Sequence, residues 1–236
     1  MHLNMANLRN AMIGQIDKNN AIANNLANIN TMGYKKDYVF FDAFNEEMSI
    51  REGQNQSVDF AQGQLKETSN RLDMALSSKG FFTVETDTGV AYTREGHFKL
   101  DNDGILRTSA GHAVLGESGP VVLLGKNIRP ESVTITSRGE VFCDEEYINQ
   151  LEITGFENTD QLQKVGSNLF RAKEDGYLMS VDEVQVHQGF LEQSNVNPAD
   201  EMIQLIEVQR QFESLQKMVR SLDDVFRSAA TQVGKY

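Results

Sequence analysis

The chain has no tryptophan, three prolines and one cysteine, and its 22 basic residues are outnumbered by 34 acidic ones. Three prolines leave no Pro-rich linker. The single thiol, Cys143, cannot make an internal disulfide. It lies in a strand-like run, Glu140 to Asp144, where a free cysteine behaves as a small buried hydrophobe. The acids beside it, Asp144, Glu145 and Glu146, argue against a reactive thiolate. The net charge of −12 repels a polyanion, and Lys35-Lys36, the densest basic spot, is only a pair, so nucleic-acid binding is disfavoured. No run approaches the ~20 apolar residues that span a bilayer, so no membrane insertion is expected. The first 15 residues lack the basic and apolar regions of a secretory leader, which points to a cytoplasmic chain or to export without a cleaved signal peptide.

Site chemistry is equally thin. Asp101-Asn102-Asp103-Gly104 hints at a calcium loop. Aligned on Gly104, however, Lys99 and Ala110 occupy the first and last ligand positions, so the segment reads as a hairpin turn. His2, His97, His112 and His187 show no metal-ligand spacing. Gly111, Gly116 and Gly119 fit neither a dinucleotide fingerprint nor a phosphate loop, and Ser118 is in no nucleophile elbow. No catalytic, cofactor-binding or metal site is expected.

The ends of the chain carry a different signal. Met5, Leu8, Met12, Ile22, Leu26 and Ile29 recur in steps of three and four, with polar Gln15 and Asn19 in two of the slots. This predicts a helix over Met5–Asn30, closed by Gly33 as its C-cap. A second helix is predicted over Ala199–Val233. Asn197 would cap it, Pro198 would take its first position, and Asp200 and Glu201 would sit in its first turn. Its stripe runs Met202, Leu205, Gln209, Phe212, Leu215, Val219, Leu222 and Phe226. At 1.5 Å per residue this helix is about 50 Å long, too long to hide its stripe against a small β domain.

Between the helices the pattern changes. Aromatic residues (Tyr34, Tyr38, Phe40, Phe41, Phe44) open a linker whose polar middle, Glu46 to Ser57, reads as flexible. From Leu72 to about Gln185, short apolar runs alternate with turns such as Asp87-Thr88-Gly89, Asp103-Gly104 and Ser137-Arg138-Gly139, which is an antiparallel β signature. The fold class expected is mixed α and β. Long N- and C-terminal helices form a coiled-coil-like domain, and the central domain is mostly antiparallel β. The expected division is 1–33 helix, 34–71 extended linker, 72–185 β domain and 186–236 helix. Two helices with apolar faces at opposite ends must bury them against each other or against other copies, which is the logic of an assembly subunit.

Ala23-Asn-Asn-Leu-Ala-Asn28, followed by Asn30-Thr-Met-Gly-Tyr-Lys35, resembles the N-terminal signature of the bacterial flagellar axial proteins, the rod, hook and hook-associated subunits. Gly80 to Val84, Ala91 to Phe98 and Asp103-Gly104 resemble the central β segment of the rod proteins. Gln188 to Val196, Glu201-Met202 and Gln209 to Phe212 resemble their C-terminal signature. Within the family, Val114-Leu-Gly-Glu-Ser-Gly-Pro120 and Lys217 to Asp224 resemble the proximal rod class, with the distal rod class as the alternative.

The resemblance implies a structural rod subunit of the basal body with no cofactor. Its partners would be other copies of itself, neighbouring rod proteins and the flagellar type III export apparatus. It also implies terminal helices that stay mobile until assembly orders them. The candidate interface residues are Leu8, Met12, Ile22, Asn24, Asn25, Leu26, Asn28 and Gly33 from the first end. From the second they are Met202, Leu205, Phe212, Val219, Leu222 and Phe226. An enzyme domain riding on this scaffold would need length the chain does not have. A soluble adaptor with helical ends is the remaining alternative.

Overall fold

The computed structural model describes residues 2–39, 56–123, 132–166, 168–172, 177–179 and 183–233. The aromatics Phe40, Phe41 and Phe44 and most of the polar stretch 46–57 lie outside the described residues. The chain divides into two compact units. The first contains residues 1–27, 37–59 and 196–236; the second contains 28–36 and 60–195.

The first unit holds both helices: α1, His2–Ala27, and α2, Pro198–Val233. α2 starts as its sequence dictates. Asn197 Oδ1 accepts from the Ala199 N–H at 3.0 Å, and the Asn197 carbonyl accepts from the Glu201 N–H at 3.1 Å. Pro198 occupies the first turn, where its missing N–H costs nothing. α1 stops three residues before the predicted end. Beyond it the Thr31 N–H bonds the Asn28 carbonyl, and the Thr31 hydroxyl bonds the Asn28 side chain. This local turn competes with helix continuation. Gly33 is therefore not the helix cap. Its N–H instead donates to the Glu192 carbonyl at 2.7 Å. The strands Lys36–Val39 and Gln56–Asp59 pair beside the helices in chain order.

The expected coiled-coil-like domain does not form. Mixed α and β holds, but the two helices share one unit with strands, and the α2 stripe departs from the expectation in its first turns. In α2, Glu201 and Val208 are buried where Met202 and Gln209 were expected, and Met202 is 52% exposed. Leu205, Phe212, Leu215, Val219 and Leu222 are only half-buried. In α1, the Oε1 of Gln15 and the Oδ1 of Asn19, at two of the expected stripe positions, are buried with no hydrogen-bond partner. A continuous interlocking seam needs apolar knobs at every such slot, and this one has polar groups and gaps.

The second unit is β. Its main sheet runs in the order Leu162–Gly166, Leu169–Ala172, Gly89–Thr93, Phe81–Thr86, Ala113–Gly116, Leu106–Thr108 and Phe98–Leu100. Its pairings are antiparallel. Gly119–Pro120 pairs beside Ala113–Gly116, and Ile153–Gly155, which itself pairs with Tyr177–Leu178, beside Phe81–Thr86; a three-stranded sheet (Val133–Ile135, Glu140–Cys143, Glu146–Gln150) and two short ladders make up the rest of the described unit. Turn chemistry sets the registers. Thr86 faces Gly89 across a two-residue turn. Cys143 faces Glu146 across Asp144-Glu145, whose φ values of 49° and 69° are the left-handed pair that such a hairpin demands. The core gathers Met74, Leu76, Phe82, Val84, Phe98 and Val114, all at most 1% exposed. Cys143 belongs to this core.

Asp101 is a turn residue, as the sequence suggested. Its Oδ1 accepts from the N–H groups of Asp103 and Ile105, and its Oδ2 accepts from Arg107. The Arg107 guanidinium holds the Asp101 carboxyl below its usual range.

Glu152 is the opposite case. Burial pushes its carboxyl above the usual range, nearby Glu117 adds to the shift, and a hydrogen bond with Thr83 opposes it. A raised native value means that the folded state holds the proton more tightly than the unfolded chain. Stability is then lost as the pH rises through the carboxylate range. Glu152→Gln should therefore raise the melting temperature at pH 7 and leave it unchanged well below pH 4, as read by paired calorimetric scans.

Candidate assembly interface

The family-like signature at the N-terminal end divides between the units after Ala27. Its two halves are buried for different reasons, and each half meets part of the C-terminal signature.

In the first unit, Asn25 is 0% exposed. Its amide donates to the Asp37 carbonyl at 2.9 Å, and its Oδ1 accepts from the Asp37 N–H at 2.8 Å. The two bonds grip one residue of the returning chain as a neighbouring strand would. The same amide donates to the Glu201 carboxylate at 3.1 Å, and Glu201 is also 0% exposed. Asn25 thus joins the end of α1, the strand after the excursion and the first turn of α2.

In the second unit, Lys35 and Glu192 are each 1% exposed and pair at 2.6 Å. Lys35 Nζ also donates to the Ala61 carbonyl at 2.8 Å. Glu192 Oε1 accepts from the Gly63 N–H at 2.8 Å, and Oε2 meets Arg94 at 3.4 Å. Arg94 donates to the Ser78 carbonyl and lies 5.0 Å from the Phe81 ring centre. Burial lowers the Arg94 pKa, and the Glu192 carboxylate acts against that shift. Beside this node Gly33, at φ +71°, would place a Cβ 2.5 Å from the Arg94 and Glu95 backbone, so only glycine fits. Tyr34 is buried, with Lys164 Nζ 4.2 Å from its ring centre.

The candidate interface residues fall into three groups. Asn25 and Gly33 are internal to their own units. Leu8 and Ile22 are buried, while Met12, Leu26, Leu205, Phe212, Val219 and Leu222 are half-buried along the helices, and Asn28 is half-buried in its turn. Asn24, Met202 and Phe226 are exposed. The stripe reading missed Ile203, Ile206, Met218 and Val225, which are 50–63% exposed. It also missed the buried charges Lys35, Glu192 and Glu201. Spacing gives no signal for a buried charge. The signal available was that Lys35 and Glu192 fall in the two end signatures.

Helix lengths explain the exposure. Asn25 lies beside Glu201, so α1 and α2 run antiparallel and His2, 23 residues before Asn25, reaches roughly the level of residue 224. The rest of α2, about nine residues or ~14 Å, overhangs. Val225, 63% exposed, and Phe226, 42% exposed, begin that overhang.

Residues 187–232 match the family described as flagellar basal body rod FlgEFG protein, C-terminal, and residues 75–143 match the D1 domain of the flagellar hook protein FlgE/F/G. The flagellar basal-body rod protein FlgF of Caulobacter vibrioides is 32% identical over 233 residues, covering 91% of each chain. The chain belongs to the flagellar basal-body rod proteins. The FlgF of Mesorhizobium japonicum is 32% identical over 211 residues, covering 84% of each chain. The rod protein FlgG of Bacillus subtilis is 32% identical over 242 residues, covering 89% of this chain and 91% of its own. As a FlgF/FlgG-class rod protein it is a structural component of the basal body. No helix among the described residues is long and apolar enough to cross a membrane.

In such a rod protein the Glu192 node is a fold determinant. Glu192→Ala leaves Lys35 and Arg94 buried without their carboxylate and should cost about 3–5 kcal/mol. Replacing all three charges, Lys35→Met with Arg94→Met and Glu192→Leu, should cost less, because no buried charge is then left unpaired. Denaturant midpoints of both variants measure the difference.

Proposed function

We propose that this chain builds the proximal segment of the rod. It leaves the cell through the flagellar type III export apparatus and polymerises through its helices into a hollow shaft that transmits torque. The overhang of α2 carries this reading. A helix end that bears Val225 and Phe226 past the reach of its own α1 leaves apolar surface exposed among the described residues, and such surface suits a contact with another subunit. Met202, Ile203 and Ile206 add a second uncovered patch at the other end of the same helix. An interface that joins unlike patches without closing produces a helical filament.

The proximal assignment rests on the FlgF-like stretches Val114–Pro120 and Lys217–Asp224. The distal, FlgG-like segment is the second reading, favoured by the Bacillus subtilis relative at equal identity. Counting this chain by quantitative mass spectrometry in purified hook–basal bodies separates the two. A few copies per basal body support the proximal rod, several-fold more the distal rod, and none overturns both.

Val225→Gln with Phe226→Gln should leave the melting temperature of the monomer within about 1 °C, because both side chains are already exposed. The same variant, as the sole copy in the cell, should abolish swimming and be missing from basal bodies. Normal motility would show that the overhang is not an interface.

A further inference from the structure

We infer that the Asn25–Glu201 pair sets the register between α1 and α2. This holds whichever rod segment the chain builds. The apolar rows of the two helices repeat every three and four residues and are built of similar side chains: Leu8, Met12 and Ile22 on one, Leu205, Leu215 and Leu222 on the other. Such rows specify that the helices pack but only weakly which turn faces which, and a slip of seven residues meets nearly the same surface. The buried polar atoms Gln15 Oε1 and Asn19 Oδ1 on α1 make no hydrogen bond, so they supply no bond that would select a register.

Asn25 and Glu201 differ from these. Both are fully buried, and their hydrogen bond spans 176 positions of sequence. Sliding α2 by one heptad would bury Glu201 without its amide partner and place Val208, a group that cannot accept a hydrogen bond, against Asn25. A buried carboxylate stripped of its partner is strongly unfavourable, so one register wins. Asn25 cannot shift to follow, because Asp37 grips both ends of its carboxamide. Asn25 and Glu201 are thus positioning residues. They decide where along α2 the exposed Ile203, Ile206 and Met218 stand relative to α1, and hence what surface a neighbour meets.

Dipolar electron spin resonance on the full chain tests this. In a Cys143→Ala background, spin labels go on Ala23→Cys and Lys217→Cys, both exposed. Residue 23 lies near the level of residue 203, so the axial offset is about 21 Å, and a one-heptad slip changes it by about 10 Å. The unaltered pair and Glu201→Gln, which still accepts the bond, should each give one narrow distance. Asn25→Leu with Glu201→Leu should give at least two distance populations about 10 Å apart, with helix content by circular dichroism unchanged. Asn25→Asp, similar in size but unable to donate and opposed by Glu201, should split in the same way. One unshifted narrow distance in both altered proteins overturns the inference. So does loss of helix content in both, which would make the pair a stability element and nothing more.

Discussion

The structure of the second unit depends on one buried carboxylate. Glu192 gathers a lysine from the start of the chain, an arginine from the middle and a backbone N–H from the linker, all away from water. Removing charges from water costs several kcal/mol per ion, and only dense hydrogen bonding offsets it. Once in place, the arrangement is unforgiving, because every group in it is worse off if one leaves. That is why the segment 28–36, with no apolar core of its own, is held against a β unit whose strands begin much later in the chain. Gly33 lets the backbone close the last gap.

The two units solve the same problem by different means. In each, a polar side chain of the N-terminal signature bonds a glutamate of the C-terminal one: Asn25 with Glu201, and Lys35 with Glu192. The apolar surface is divided unevenly. The β unit buries Met74, Phe82 and Val114 almost completely, whereas α2 leaves Met202, Ile203, Ile206, Met218 and Val225 half or more exposed.

Much of this was legible in the sequence. Asn197-Pro198 announced the start of α2, the Asp-Gly and Thr-Gly turns announced the hairpins, and the β core fell where alternating apolar runs placed it. The phase at the start of α2 was not legible. A stripe reading ranks Met202 above Glu201 and Leu26 above Asn25, because it scores hydrophobicity and ignores a bond to a residue 176 positions away. The coiled-coil expectation failed for the same reason, since periodicity shows that a row exists but not what covers it. The glycine cap failed because Asn28 and Thr31 made a turn of their own first, and Gly33 was needed elsewhere.

The sequence distance between Asn25 and Glu201 has a consequence for timing. Contacts that join chain ends form late, because the loop between them must be ordered before they are rewarded. A chain released from its N-terminus presents α1 to its surroundings while the β unit is still being made, and its helical partner α2 follows last. The last segment to arrive is therefore the one that completes the first. A subunit truncated near its C-terminus would hold a finished β unit and a leading helix without its helical partner, ready to stick to whatever apolar surface it meets first.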